Sequence, residues 1–338
     1  MEYVRGGLPA RMIADPTATA ARSAPSRVDL AYAGQGLDYF GLHLVNGALT
    51  MLTLGLYYPW ARARELRFMI GSLVADGDAF TFHGTGGELF WGFLRAWVLF
   101  LLPLFGLAFL INLPGLDAAL RWVLLLVFCA LLIVLVSFAI VGSMRYRSSR
   151  TSWRGIRFGF DGPSLEFSSG YALRLLAQVL TLGLAYPHVA TWRRDYMVSH
   201  ARLGSERFGF DGVAGDLFAR YLLCWFLALP TLGLSFVWFH GHQQAYYWNH
   251  TTLAGGRFRC LLTGSEWLGA TLLNGLLVVF TFGFGGYFAY VNLHREFFRR
   301  LSLEGADLAR IYATESEGSE LGEGTAAVLD VAGGLDIG

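Results

Sequence analysis

Along residues 28–300 the apolar positions switch between two periods, and they do so five times. A two-residue alternation ending in glycine comes first: Leu30/Tyr32/Gly34, Phe80/Phe82/Gly84, Phe158/Phe160/Gly162, Phe208/Phe210/Gly212 and Cys260/Leu262/Gly264. Such alternation is a strand signal, and Ala75-Asp76-Gly77-Asp78 and Leu203-Gly204-Ser205-Glu206 just ahead of it read as hairpin turns. An acid follows four residues after the glycine in four copies (Asp38, Glu88, Glu166, Asp216) and two residues after it in the fifth (Glu266). It marks the first turn of a helix, where unpaired amides and the macrodipole favour negative charge. An apolar run then ends at a second glycine, Gly55, Gly106, Gly183, Gly233 or Gly283, which predicts a left-handed break at a helix C-terminus. The separations from acid to glycine are 17, 18, 17, 17 and 17, a regularity that marks a repeated module. A 17-residue helix is about 25 Å long, against roughly 30 Å for the hydrocarbon core of a bilayer.

A second segment follows each break. It opens on Tyr58-Pro59 and Tyr186-Pro187 in two copies, with proline where a helix begins. It ends in arginine in four copies: Arg62, Arg64 and Arg67; Arg145, Arg147 and Arg150; Arg193 and Arg194; Arg295, Arg299 and Arg300. The second copy is longer than the others, with 78 residues between Gly84 and Gly162 against 50, 50 and 52 elsewhere, and it accommodates a second long helix at about 122–144. Units are expected at about 28–74, 75–151, 152–203, 204–256 and 257–303. A disordered cytoplasmic arm (1–27) precedes them and a disordered acidic tail (304–338) follows.

Composition changes the solvent. Of 338 residues, 54% are apolar and only 15% charged, and the mean hydropathy is +0.46, far from an ordinary soluble domain. Uncharged stretches cover 39–61, 96–116, 122–144, 175–192 and 267–294, the first three long enough for a helix to cross a membrane. The net charge of +1 conceals a segregation in which all 26 basic residues are arginine and most follow apolar runs. That placement suits the cytoplasmic rim of a membrane and anionic lipids, with no nucleic-acid partner implied. The fold expected is an α-helical multipass membrane protein built from five quasi-repeats of a short β-strand plus a membrane helix, with a small cytoplasmic β element. Hairpins would keep all strands and arginine clusters on one side; single passes would divide them between the two faces.

The string Asn46-Gly-Ala-Leu-Thr-Met-Leu-Thr-Leu-Gly-Leu-Tyr-Tyr-Pro-Trp60 with Arg64 and Phe68, followed by Phe80-Thr-Phe-His-Gly-Thr-Gly-Gly-Glu-Leu-Phe90, resembles the YjgN-like family of bacterial inner-membrane proteins. The resemblance covers about residues 28–300. It implies a multipass protein of the bacterial inner membrane, of unknown function, and it supplies no catalytic residues. The third copy departs from the string with Arg174 and His188 in place of Asn46 and Trp60, and the fifth keeps the asparagine as Asn274 but lacks Pro-Trp.

Candidate chemistry is sparse. Arg95, Arg174 and Arg220 fall inside apolar first helices, where a charge faces a protein interior or snorkels to the near interface. Gathered around one cavity, they would bind an anion or a lipid headgroup. His43 and Asn46, three apart, can hydrogen-bond a neighbouring helix or contribute to the same cavity. His240-Gly-His242 with Gln243, Gln244 and His250 lacks the carboxylate or cysteine a metal site needs, and Cys129, Cys224 and Cys260 have no paired spacing, so neither metal nor disulfide is expected. Gly84-Thr-Gly-Gly87 has no following Lys-Ser/Thr to hold a phosphate, and no nucleophile motif is present, so neither a cofactor nor an enzymatic activity is expected. Two classes of function are left: first, transport or permeation of a small solute, with anions among the candidates, and as the alternative a membrane scaffold or lipid-binding role without transport. The sequence carries no signal for oligomeric state.

Overall fold

The computed structural model of the chain describes residues 27–307, so the expected arm and tail lie almost entirely outside the described residues. Strand, helix, helix and strand follow one another five times. The first unit comprises β1 (Arg27–Tyr32), α1 (Gly36–Leu52), α2 (Tyr58–Gly71) and β2 (Leu73–Ala75). The second comprises β3 (Asp78–Phe82), α3 (Gly86–Ala96), a π-helical turn (Trp97–Leu101), α4 (Leu102–Ile111), α5 (Ala118–Ser149) and β4 (Thr151–Trp153). The third has β5 (Ile156–Phe160), α6 (Ser164–Leu180), α7 (Tyr186–Ser199) and β6 (Ala201–Leu203). The fourth has β7 (Glu206–Phe210), α8 (Ala214–Leu227), α9 (Leu234–Asn249) and β8 (Thr251–Leu253). The fifth has β9 (Gly256–Cys260), α10 (Gly264–Phe280), α11 (Gly286–Phe298) and β10 (Leu301–Glu304).

The ten strands form one closed antiparallel barrel in chain order, with β10 pairing back onto β1. Closure leaves no unpaired sheet edge. The closing register sets Arg27 against Glu304 and Val28 against Leu303, so residues placed in the arm and the tail by sequence belong to the sheet. Two-residue turns join the units at one end of the barrel, and the helical hairpins all leave from the other. Inside, Phe80, Phe158, Phe208 and Phe258 stack in succession, with neighbouring ring centroids 5.8, 6.4 and 6.5 Å apart. Leu30 packs against the same core from the first unit.

This architecture corrects the expected fold class. The β component is the closed frame of the molecule, and among the described residues only Gly86–Ile111 and Ala118–Ser149 are helices long and apolar enough to cross a membrane, so the chain is not an α-helical multipass bundle. Two local facts hid this. The closing strands β2, β4, β6 and β8 are three residues long, too short to display alternation, and each follows directly on a helix. The uncharged stretch 39–61 is cut after α1 by the backbone break at Leu54-Gly55, so it does not form one crossing helix.

The fifth copy is also in a different register from the one expected. Phe258 and Cys260 occupy β9 as Phe208 and Phe210 occupy β7, so the counterpart of Gly212 is Leu262 and Gly264 opens the helix. Glu266 then stands four residues on, as in the other copies. A close approach explains the exchange. A Cβ added at Gly34, Gly84, Gly162 or Gly212 would lie 2.5–2.6 Å from the ring two residues before it. In the fifth unit that ring is replaced by the small Cys260, and the buried Leu262 takes the space. Gly106 is likewise not a break: it lies within α4, and the irregularity of that segment is the π-helical turn beside Pro103, whose missing N–H leaves the Leu99 carbonyl without its usual partner.

Arginines at the barrel end of the second helices clip one unit to the next. Arg67 Nη2 donates to Gly84 O (3.0 Å), Arg145 Nη2 to Gly162 O (2.8 Å) and Arg295 Nη2 to Gly34 O (2.8 Å). Helix entry is fixed by the acids: Thr85 with Glu88 and Thr263 with Glu266 form reciprocal capping boxes, and Arg150 and Arg300 pair with these two glutamates.

The ring-to-glycine contact gives a measurable coupling. Gly212→Ala is expected to cost about 1–3 kcal/mol of stability by overpacking, and most of that cost should vanish in a Phe210→Cys background that reproduces the fifth unit. Equal costs in both backgrounds, measured by thermal unfolding of the four proteins of the cycle, would separate the glycine from the ring.

Candidate functional site

The chain turns between paired helices define the far end of the molecule. In four units the turn is built alike. Leu54, Leu182, Leu232 and Phe282 have φ of 51° to 52°, and the glycine after each has φ of 85° to 96°. Two successive left-handed residues are costly unless surrounding bonds hold them, and the second is glycine because it has no Cβ to clash. The bonds are present. Gly55 N donates to Thr50 O (2.8 Å), and the same bond recurs at Gly183 (2.8 Å), Gly233 (2.7 Å) and Gly283 (2.8 Å). Thr53 Oγ1 donates to Leu49 O (2.8 Å) and accepts from Tyr57 N (3.0 Å), with Thr181, Thr231 and Thr281 bonded in the same pattern. In the first unit every backbone N–H from residue 53 to residue 58 is thereby bonded within the turn.

A turn with its amides satisfied internally needs no water, and the side chains these turns expose are apolar except for Thr181, whose hydroxyl is bonded within its own turn. Leu54, Leu182, Leu232 and Phe282 are 81–95% exposed, flanked by exposed Met51, Leu52, Leu180, Leu229 and Phe280. The second unit differs. Its turn, 112–117, carries exposed Asn112 and Asp117, and the Asp117 carboxylate caps α5 by accepting from Ala119 N and Leu120 N.

Inside the crown of helices the surfaces are polar and aromatic. Glu65 on α2 accepts from Arg62 Nη1 (2.7 Å) and Tyr39 OH (2.9 Å), and His43 Nε2 stands 3.4 Å away. Tyr39 stacks on Tyr290 of α11 with centroids 4.8 Å apart, joining the first unit to the fifth. Burial pushes the Glu65 carboxyl up, but the hydrogen bond from His43 and the charge and hydrogen bond of Arg62 outweigh it and hold the pKa down at about 2. On the opposite side, Gln243 bonds Tyr247 OH (2.9 Å) and accepts from Tyr186 OH (3.2 Å), and Thr191 meets Tyr247 OH at 3.2 Å. No group of three or more His, Cys, Asp or Glu able to hold a metal occurs among the described residues.

A family model described as "Bacterial protein of unknown function (DUF898)" matches residues 27–239 and 223–328, nearly the whole barrel and crown. The chain belongs to the DUF898 family. "Inner membrane protein YjgN" of Salmonella typhimurium is 32% identical to this DUF898 chain over 132 residues, 39% of this chain and 31% of the relative. The proteins of the same name from Escherichia coli O157:H7 and K12 are 33% and 32% identical over 128 residues, 38% of this chain and 30% of each relative. The chain thus spans about a third of the length of these curated relatives. No solved structure matches it.

Within the DUF898 chain the expected cavity residues fall in different places. Arg95 on α3 and Arg220 on α8 are exposed. Arg174 on α6 is half-buried, donates to Gly170 O (3.0 Å) and lies 4.1 Å over the Trp192 ring. Its position matches that of Asn46 and Asn274, which also turn toward the second helix of their units: Asn46 donates to Ala61 O (3.3 Å) and Asn274 accepts from Asn292 (3.1 Å). The three arginines occupy non-equivalent helical positions. His43 alone of the four enters a buried polar cluster, and its partners Tyr39, Arg62 and Glu65 could have been suspected from the i, i+3 and i, i+4 spacings on two adjoining helices.

Glu65→Gln should destabilise the protein by about 2 kcal/mol, because the buried Arg62 loses its counter-charge. Since folding lowers the Glu65 pKa from 4.5 to about 2, its stabilisation is complete above pH 4.5 and lost as pH falls toward 2. Thermal melts across pH 2–7 should therefore show a wild-type acid loss that is smaller in Glu65→Gln; parallel curves would remove Glu65 from the account.

Proposed function

We propose that this DUF898 chain is a non-enzymatic protein of the bacterial inner membrane that seats one leaflet on its crown of hairpin tips and serves as a lipid-binding scaffold. The contrast between tips carries the proposal. Four short hairpins end in exposed leucine or phenylalanine on internally satisfied backbone, whereas the long hairpin of the second unit ends in Asn112 and Asp117. In lipid, unsatisfied backbone is excluded and apolar side chains are favoured, so the four short tips suit the bilayer interior and the polar tip suits the water beyond it.

Lengths agree. Helices of 17 residues such as α1, α6 and α10 reach about 25 Å from the barrel, while the 26-residue Gly86–Ile111 and the 32-residue Ala118–Ser149 reach about 39 and 48 Å, beyond the roughly 30 Å of hydrocarbon. Their exposed apolar surface, with only 6% and 11% of the most hydropathic stretch buried, supports lipid contact over a role as core helices. Two passes by the second unit and partial insertion by the other four describe the seat. The name carried by the YjgN relatives supports the same membrane.

Transport of a small anionic solute has less behind it. The arginines that would gather around a solute are dispersed, and the barrel interior is ringed by phenylalanines.

An environment-sensitive label on single cysteines at positions 54, 182, 232 and 282, in bilayers containing lipids brominated along their chains, should be strongly quenched. The same label at positions 76, 154, 205 and 255, exposed in the turns of the barrel, should be quenched only by aqueous iodide. Iodide quenching at the four tips would overturn the seat.

A further inference from the structure

A cavity of about 420 Å³ opens among α9, α10 and α11, within the size range of small-molecule sites. Its wall is mainly aromatic and aliphatic, with Phe236, Trp267 and Phe297 among its members. The polar minority is specific. Gln244 Oε1 on α9, Thr271 Oγ1 on α10 and Tyr290 OH on α11 are buried, line this cavity and have no hydrogen-bond partner among the described residues. Gln244 is only 9% exposed. A buried polar atom left unpaired costs about 1–3 kcal/mol, so three of them converging from three helices on one space is a set a ligand would complete.

Charge narrows the class of ligand. No Asp, Glu, Arg or Lys lines the cavity, so no permanently charged side chain stands there to pair with an ionised group. His294 on its wall bonds through Nδ1 to Tyr290 O (2.8 Å), and burial pushes its pKa down, which keeps it neutral. Shape gives the other half. The lining runs from Phe236 and Val237, in the first turn of α9 beside the apolar tip at Leu232, to Phe297 and Phe298 at the barrel end. A long apolar body can lie along it with a polar head at Gln244, Thr271 and Tyr290.

We propose that this cavity binds one molecule of a neutral single-chain amphipath of the monoacylglycerol class, its hydroxyl and ester groups bonded by Gln244, Thr271 and Tyr290. Hydroxyls can both donate to the Gln244 carbonyl oxygen and accept from the threonine and tyrosine, which a hydrocarbon cannot do and a carboxylate does only as a charged acceptor. The site is distinct from the lipid-facing tips and does not depend on their insertion.

The test uses the full chain in detergent micelles with two photoactivatable probes of equal chain length, a diazirine-bearing monoacylglycerol and the corresponding fatty acid at pH 8. The neutral probe should attach to α9, α10 or α11 at one per chain, and excess unlabelled monoacylglycerol should displace it. Gln244→Leu and Thr271→Val should each weaken its binding about five- to tenfold, while circular dichroism and melting remain those of the parent. Leu293→Trp, which fills the cavity, should abolish labelling. Absent labelling, equal labelling by the ionised fatty acid, labelling insensitive to these substitutions, or labelling confined to the tips around Leu232 and Phe282 would each overturn the proposal, and the last of these would leave the membrane seat intact.

Discussion

Everything in this molecule depends on closure of the barrel. Strands of three to six residues cannot hold a sheet against solvent singly, but ten of them joined edge to edge, with β10 returning to β1 through Arg27–Glu304 and Val28–Leu303, leave no edge unpaired. Closure also fixes direction. Because strands alternate and the helical hairpins occupy every second connection, all five hairpins must leave from the same end. The crown is a topological consequence of the frame, and the clips from Arg67, Arg145 and Arg295 hold its neighbouring units in register.

That geometry gives the membrane reading its economy. A single rim presents five tips, and each tip has the chemistry its depth requires: internally bonded backbone and leucine or phenylalanine where the hairpin is short, asparagine and aspartate where it is long. Behind the tips the crown is not uniformly apolar. Glu65 with Arg62, Tyr39 and His43 on one side and Gln243 with Tyr247 and Thr191 on the other bind helices together by hydrogen bonds, and the cavity among α9, α10 and α11 interrupts this packing with polar atoms that remain free. The tips proposed to face lipid and the cavity proposed to hold a ligand are thus built from different residues.

Much of the unit could be read in the residues. Φ-x-Φ placed the long strands, the acids marked the helix entries, and the glycines at 55, 183, 233 and 283 marked left-handed breaks. The barrel could not be read, because β2, β4, β6 and β8 are too short to show a period and pairing between units is non-local. Gly106 and Gly264 misled for definite reasons: one is an ordinary helical residue near a proline-associated π turn, and the other stands two residues beyond its apparent counterpart because Cys260 removed the ring that demands glycine. Of the candidate site, His43 was legible as a polar residue on an apolar helix. The orphaned trio Gln244, Thr271 and Tyr290 was not, since each is unremarkable in its own segment and only the fold brings the three together.

The central claim is that one face of the membrane holds the entire barrel and the opposite face meets only the turn of the second unit. Labelling of single cysteines by an impermeant thiol reagent, in sealed vesicles of each orientation and with Cys129, Cys224 and Cys260 replaced, tests it directly. Cysteines at positions 76, 154, 205 and 255 are expected to react from one face alone and a cysteine at position 113 from the other alone. Reaction of position 113 from the barrel's face, or division of the four barrel turns between the two faces, would contradict it.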